Sequence, residues 1–128
     1  MGVTSSAPGP YSWPDKTCRD DGTVTLRATL GAGCYWGTES YIKKWGAKSG
    51  EVVSAHVGFM GGAIKNPSYE QVCSGSTGHV EVADVVLSDV KGKGAAVLYE
   101  ELLQTFFMFH DPTTLNRQGN DVGTQYAS

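Results

Sequence analysis

The run Thr23-Val-Thr-Leu-Arg-Ala-Thr-Leu-Gly-Ala-Gly-Cys34 constrains this chain more than any other stretch. Val24, Leu26, Ala28 and Leu30 alternate with polar residues, which is the period of a half-buried strand. Gly31-Ala32-Gly33 then turns the backbone, and Cys34 to Trp45 fits a short helix with Ile42 and Trp45 three apart and a stop at Gly46. Strand, glycine turn and helix therefore follow without a spacer, and a thiol opens the helix.

The rest of the chain is punctuated in the same way. Glu51 to Phe59 is expected to form a second strand, followed by a glycine-rich loop through Asn66-Pro67 to about Tyr69. A third strand is expected from Gly78 to Leu87, with β-branched residues on both faces as a central strand carries them. Ala95 to His110 reads as a helix with Leu98, Leu102, Thr105, Phe106 and Phe109 near one stripe. From Asp111 onward a polar loop is expected, and residues 1–22, with Pro8, Pro10 and Pro14, read as an irregular N-terminal arm. The order strand, helix, strand, strand, helix points to an α+β two-layer domain over 23–128, and 128 residues suit a single core.

Composition removes several functions. The net charge is −3 and no cluster of Lys and Arg appears, which argues against a nucleic-acid binder. Cys18, Cys34 and Cys73 form no Cys-x-x-Cys pair, so neither a disulfide framework nor a zinc knuckle is expected, and a reducing compartment, the cytoplasm, is. Residues 1–10 lack a charged lead and an apolar core of the secretory kind, and no stretch reaches the length of a membrane span. A monomer without metal or organic cofactor is the expectation.

The chemistry concentrates in three places. Cys34 at a helix start meets unpaired backbone N–H groups and the positive end of the helix dipole, which favour a thiolate nucleophile; a buried structural cysteine is the plainer alternative. Tyr35 and Trp36 beside it can wall a small apolar pocket or simply pack in the core. Glu81 falls in phase with Ala83, Val85 and Leu87 on an apolar strand face, where burial raises a carboxyl pKa and makes it an acid; an edge-strand Glu facing solvent is the alternative. In the polar tail, Asp121 and Tyr126 can hydrogen-bond a ligand atom, although solvated turn residues are the default there. His56, His79 and His110 match no common zinc spacing with Cys34 and Cys73. A cysteine hydrolase or acyltransferase in which His79 or His110 activates Cys34 is the competing enzyme class.

Four runs together carry a resemblance: Gly-Cys-Tyr-Trp-Gly at 33–37, Gly-Phe-Met-Gly-Gly through Asn-Pro-Ser-Tyr at 58–69, Val-Cys-Ser-Gly-Ser-Thr-Gly-His-Val-Glu at 72–81, and Arg-Gln-Gly-Asn-Asp-Val-Gly-Thr-Gln-Tyr at 117–126. In that order they resemble the A-type peptide methionine sulfoxide reductases, from about Thr23 to Ser128. The resemblance implies Cys34 as nucleophile, Glu81 as proton donor, Tyr35 and Trp36 around the substrate methyl, Tyr69 and Tyr126 on the sulfoxide oxygen, and Asp121 in the surrounding polar network. It also implies a sandwich related to ferredoxin-like folds, with a mixed sheet and helices on its faces. Oxidised proteins or free methionine sulfoxide of the S epimer are the implied substrates, and thioredoxin or another thiol the implied reductant.

Three departures stand out. Position 35 is Tyr where the family more often has Phe, and position 127 is Ala where Arg usually follows the tyrosine. Many members continue into a segment bearing resolving cysteines, and this sequence stops at Ser128 without that extension. Cys73 and Cys18 are then the internal candidates to resolve an oxidised Cys34, with Cys73 expected to be a small buried apolar residue instead. A shortened chain that only binds oxidised proteins is the non-enzymatic alternative.

Overall fold

The computed structural model describes residues 23–128 in full and the backbone of residues 15–18. Its main sheet has four strands in the order β1-β2-β4-β3: β1 Asp15–Cys18, β2 Val24–Leu30, β3 Val52–Met60 and β4 Val80–Ser88. Helices α1 Tyr35–Ser49, α2 Tyr69–Cys73 and α3 Ala95–Phe109 connect them, and the tail forms a small hairpin, β5 Arg117–Gln118 with β6 Asp121–Val122, before a 3-10 turn at Thr124–Tyr126. The α+β class and the central place of the third expected strand hold. The sheet was expected to be mixed, but every described pairing is antiparallel.

The register explains where the core lies. Leu26 faces Leu87, Ala28 faces Val85 and Leu30 faces Ala83 across β2 and β4, while Val57 faces Ala83 and Phe59 faces Glu81 across β3 and β4. Directly opposed residues share a face, so these side chains form one apolar surface. Ile42 of α1 and Leu98, Leu102 and Phe106 of α3 join Leu26, Ala28, Val85 and Leu87 in a single buried cluster, placing both long helices on that surface. The two long helices therefore cover one face of the sheet, the two-layer α+β sandwich expected from the sequence.

Four boundaries differ from the sequence expectation. Asp15–Cys18 is not irregular arm: it pairs antiparallel with β2, Cys18 opposite Val24. Pro8, Pro10 and Pro14 all precede it, leaving its four N–H groups able to join a ladder. Gly46 does not stop α1, which runs to a left-handed cap at Gly50. Its place inside the helix is a packing requirement, because a Cβ there would lie 2.6 Å from Val52 Cβ. The loop before β4 contains α2, which starts with a capping box: the Gln71 N–H donates to Ser68 Oγ at 3.1 Å and the Ser68 N–H to Gln71 Oε1 at 2.8 Å. The tail past Asp111 is ordered by its own hydrogen bonds, the Asp111 N–H donating to Gln118 Oε1 at 2.9 Å and Gln118 Nε2 to the Asp111 carbonyl at 2.8 Å.

Candidate active site

Two glycines bring the tail onto the start of α1. Gly33 has φ +83°, a backbone conformation that side chains disfavour, and a Cβ on it would lie 2.5 Å from Gln118 Cβ. A Cβ on Gly31 would lie 3.2 Å from the Ala127 carbonyl oxygen. The strand-turn-helix run thus accepts the hairpin and the chain end against its own backbone, and Asp121 and Tyr126 arrive near Cys34.

Cys34 occupies the N-cap position of α1, its carbonyl accepting the N–H groups of Gly37 at 3.1 Å and Thr38 at 3.3 Å. Its side chain makes no capping bond, so the sulfur is not consumed by the helix end. The thiol is half-buried, packed on one side against a small cluster of Tyr35, Val57, Phe59 and Val72. On the other side opens a pocket of about 170 Å³ lined by Cys34, Gly37, Thr38, His110, Gln118 and Asp121, among others. Apart from its chain neighbours and the α1 backbone, no atom lies within 4 Å of where a Gly37 Cβ would be, so the approach over the helix start is open.

Glu81 is buried, only 1% exposed, and its Oε2 accepts the Tyr35 backbone N–H at 3.0 Å. That amide belongs to the peptide bond following Cys34, so the carboxyl is anchored one bond from the thiol-bearing residue. Burial pushes the Glu81 carboxyl above the ordinary carboxylate range, the Tyr35 N–H pulls it partly back, and the charge of Asp121 pushes it up again. The edge-strand alternative for Glu81 is thereby removed.

The tyrosines form a chain at the rim. The neighbouring Cys73 thiol, and after it the Tyr126 hydroxyl, push the Tyr69 hydroxyl above the ordinary tyrosine range, so the three groups lie within reach of one another. Tyr126 is raised by burial and then by the Glu81 charge, which brings this chain into electrostatic reach of the buried carboxyl. Tyr35 stacks toward Phe59 at 5.5 Å and meets the Trp36 edge at 5.1 Å; Trp36 is 60% exposed and open to a ligand. Tyr35 is raised by burial first, then by the charges of Glu81, Cys34 and Cys73.

Nearly every residue singled out from the sequence therefore converges. Cys34, Tyr35, Trp36 and Glu81 meet at the start of α1, Asp121 shares the pocket, and Tyr69, Cys73 and Tyr126 form one linked group. Cys73 is exposed rather than buried, because α2 turns Val72 inward and leaves its neighbour at the surface. The backbone of Cys18 lies in β1, and its side chain falls outside the described residues. Thr38, Tyr41, Phe109 and Gln118 also line the pocket and were not singled out. Thr38 and Tyr41 were legible as the i+4 and i+7 neighbours of Cys34, whereas Gln118 has no such periodic signal.

The histidines do not serve the thiol. His79 Nδ1 accepts the Gly62 N–H at 3.1 Å, so its proton sits on Nε2 and is donated to the Ile64 carbonyl at 2.7 Å. His110 lines the Cys34 pocket, yet its Nδ1 donates to the Phe106 carbonyl at 2.6 Å and its Nε2 meets the Ser128 hydroxyl at 2.8 Å. His56 pairs with Asp84 in the register, on the sheet face opposite Glu81. Among the described residues no three His, Cys, Asp or Glu side chains are grouped to hold a metal ion, and no helix is long and apolar enough to cross a membrane.

Comparison with known proteins agrees with this geometry. Residues 26–128 match the family model described as peptide methionine sulfoxide reductase. The chain is 52% identical over 103 residues to the peptide methionine sulfoxide reductase MsrA of Methanothermobacter thermautotrophicus, covering 80% of this chain and 55% of that protein. The MsrA of Saccharolobus solfataricus is 50% identical over 101 residues, covering 79% of this chain and 52% of that one. Among solved structures, reduced Mxr1 from Saccharomyces cerevisiae superposes with a TM-score of 0.71 at 35% identity, covering 88% of this chain and 61% of that one. The chain thus spans about half the length of the curated relatives it matches. With the family model spanning residues 26–128 and half of the aligned residues identical in two curated relatives, this chain belongs to the peptide methionine sulfoxide reductase family.

Proposed function

We propose that this protein reduces the S epimer of methionine sulfoxide, free or within oxidised proteins, with Cys34 as nucleophile and Glu81 as acid. The single observation that carries the reading is the buried Glu81 carboxyl, tied to the Tyr35 N–H at 3.0 Å beside the thiol and biased toward its protonated form. Sulfoxide sulfur is electrophilic and its oxygen is a poor leaving group, so the reaction needs a soft nucleophile together with a proton donor.

The step balances. The Cys34 thiol, having given its proton to solvent, supplies two electrons to the sulfoxide; Glu81 protonates the oxygen, which passes to Cys34 as a sulfenic acid while methionine leaves as the thioether. Glu81 then regains a proton from solvent. Tyr69 and Tyr126 hold the sulfoxide oxygen, Asp121 orders the polar side of the site, and Tyr35 and Trp36 receive the methyl. Cys73 resolves the sulfenic acid: its thiol attacks Cys34, water leaves and a disulfide forms, which thioredoxin or another thiol reduces. Its exposure and its place beside Tyr69 support it over Cys18. A cycle that ends on reduced thiols fits a reducing compartment, the cytoplasm, and a monomer suffices for it.

The test is covalent. Reduced Cys73→Ser protein mixed with a methionine-S-sulfoxide peptide, without added reductant, gives methionine and a Cys34 peptide heavier by one oxygen, about 16 Da, while the unaltered protein gives the same methionine and a Cys34–Cys73 disulfide. Methionine release that survives Cys34→Ser would overturn the assignment.

A further inference from the structure

A second concavity, about 500 Å³, runs between α1 and α3 and adjoins the Cys34 pocket. Tyr41 and Phe109 line both, their rings stacked at 4.9 Å and nearly parallel, 2° apart, so that one aromatic pair forms the shared wall. Along α1 the lining continues through Lys44, Trp45 and Lys48, with Met108 opposite. Tyr41, Lys44, Trp45 and Lys48 are spaced i, i+3, i+4 and i+7, one helix face extending the stripe that begins at Cys34. Met108 is 84% and Tyr41 51% exposed, so the floor of the groove is apolar and open.

Its charge is one-sided. Lys44 and Lys48 line the groove and no carboxylate does. Neither has a carboxylate in ion-pair distance among the described residues, whereas Lys43, Lys91 and Lys93 all do. Lys44 instead lies over the Tyr41 ring, 5.8 Å from its centroid. In a chain of net charge −3, two cations without an ion-pair partner among the described residues, on an apolar groove that no carboxylate lines, select an acidic partner.

We propose that this groove binds the polypeptide on one side of an oxidised methionine, an extended segment that places apolar side chains on Tyr41, Trp45 and Met108 and an acidic side chain at Lys44 and Lys48. The proposal rests on the reductase reading of Cys34. Helix rise puts Lys44 and Lys48 roughly 15 and 21 Å from Cys34, and an extended peptide covers that span in about four to six residues. The protein thereby acquires a preference among polypeptides that free methionine sulfoxide does not report.

The experiment compares three substrates: a methionine-S-sulfoxide peptide with two Glu four to six residues away on either side, the same peptide with Lys there, and the blocked single amino acid. For the unaltered protein, kcat/KM is expected to be about tenfold higher for the acidic than for the basic peptide at low salt, and the difference to shrink at high salt. Lys44→Glu/Lys48→Glu removes the preference and leaves the single amino acid unchanged, while Lys44→Arg/Lys48→Arg keeps both. Equal kcat/KM for the two peptides in the unaltered protein, or a charge reversal that lowers the single amino acid as much as the acidic peptide, overturns the groove and leaves the reductase reading intact. Anisotropy of the labelled acidic peptide reads binding apart from turnover. If the protein binds it, the charge-reversed variant does not, and no substrate is reduced, the groove stands and the reductase reading falls.

Discussion

Glu81 Oε2 and the Tyr35 backbone N–H are 3.0 Å apart, which ties a buried strand carboxyl to the first amide of the helix that Cys34 opens. One hydrogen bond thus sets the spacing of acid and nucleophile, and two opposed effects set the acid's proton affinity. Burial raises it, and the amide stabilises the anion; the first dominates, and Asp121 adds to it.

Glu81→Gln therefore slows single-turnover methionine release by about 10²–10⁴-fold, the usual contribution of a positioned acid. The pH dependence has a definite sign. Glu81 acts when protonated, so its contribution to the rate is full at low pH and declines as pH rises through its elevated pKa. Stability follows the same direction: between the ordinary carboxylate pKa and the raised folded value, the folded state holds more protons than the unfolded state, so stability falls as pH rises across that window. Thermal melts at pH 5 and pH 8 should show a smaller loss for Glu81→Gln than for the unaltered protein. A mutant with a near-normal rate at neutral pH would transfer the proton donation to Tyr69 or Tyr126.

Tyr69→Phe and Tyr126→Phe remove two neighbouring hydroxyls, each of which shifts the proton affinity of the other, near the buried carboxyl. Each is expected to lower kcat/KM by about tenfold, modest because Tyr69 is 52% exposed and water can replace its hydroxyl. The double mutant should lose less than the product of the singles, since a pair acting on one oxygen is not additive. Strictly multiplicative losses would separate the two hydroxyls.

How far this was visible in advance depends on the kind of signal each residue carries. β2 and α3 declared themselves by period, β4 by β-branched residues on both faces, and Glu81 by falling in phase with Ala83, Val85 and Leu87. Gly46 was misread because a glycine that admits Val52 and a glycine that ends a helix look alike in one dimension. Cys73 was misjudged because residue type indicates burial on average, while α2 turns Val72 rather than Cys73 inward. Gln118 was invisible: its relation to Gly33 exists only once the tail folds back over the 84 residues of intervening chain.

Gly33→Ala tests that return of the tail. A side chain there meets both a left-handed backbone and Gln118 Cβ at 2.5 Å. The expected cost is about 2–4 kcal/mol in urea unfolding, with lowered activity as the hairpin shifts away from Cys34. Adding Gln118→Gly recovers the collision but not the backbone strain, so partial rescue is the expected result. Gly37→Ala is the control: it sits inside α1 and, apart from its chain neighbours and the α1 backbone, has no atom within 4 Å of its Cβ position. It should be neutral to stabilising by up to about 1 kcal/mol while raising KM, because it narrows the approach to Cys34.

Cys73→Ser separates the two halves of the cycle. Cys73 is exposed, near enough to the Tyr69 hydroxyl to raise its pKa, and adjacent to Val72, which packs in the same small cluster as Tyr35 and Cys34. Single-turnover release of methionine precedes resolution and should change little. Turnover with thioredoxin should fall about tenfold or more, and high dithiothreitol should restore it by reducing the sulfenic acid directly. In the unaltered protein, non-reducing mass spectrometry after one turnover should find a Cys34–Cys73 disulfide. A Cys18→Ser variant that abolishes that turnover, with Cys73→Ser unaffected, would move the resolving role to the edge strand.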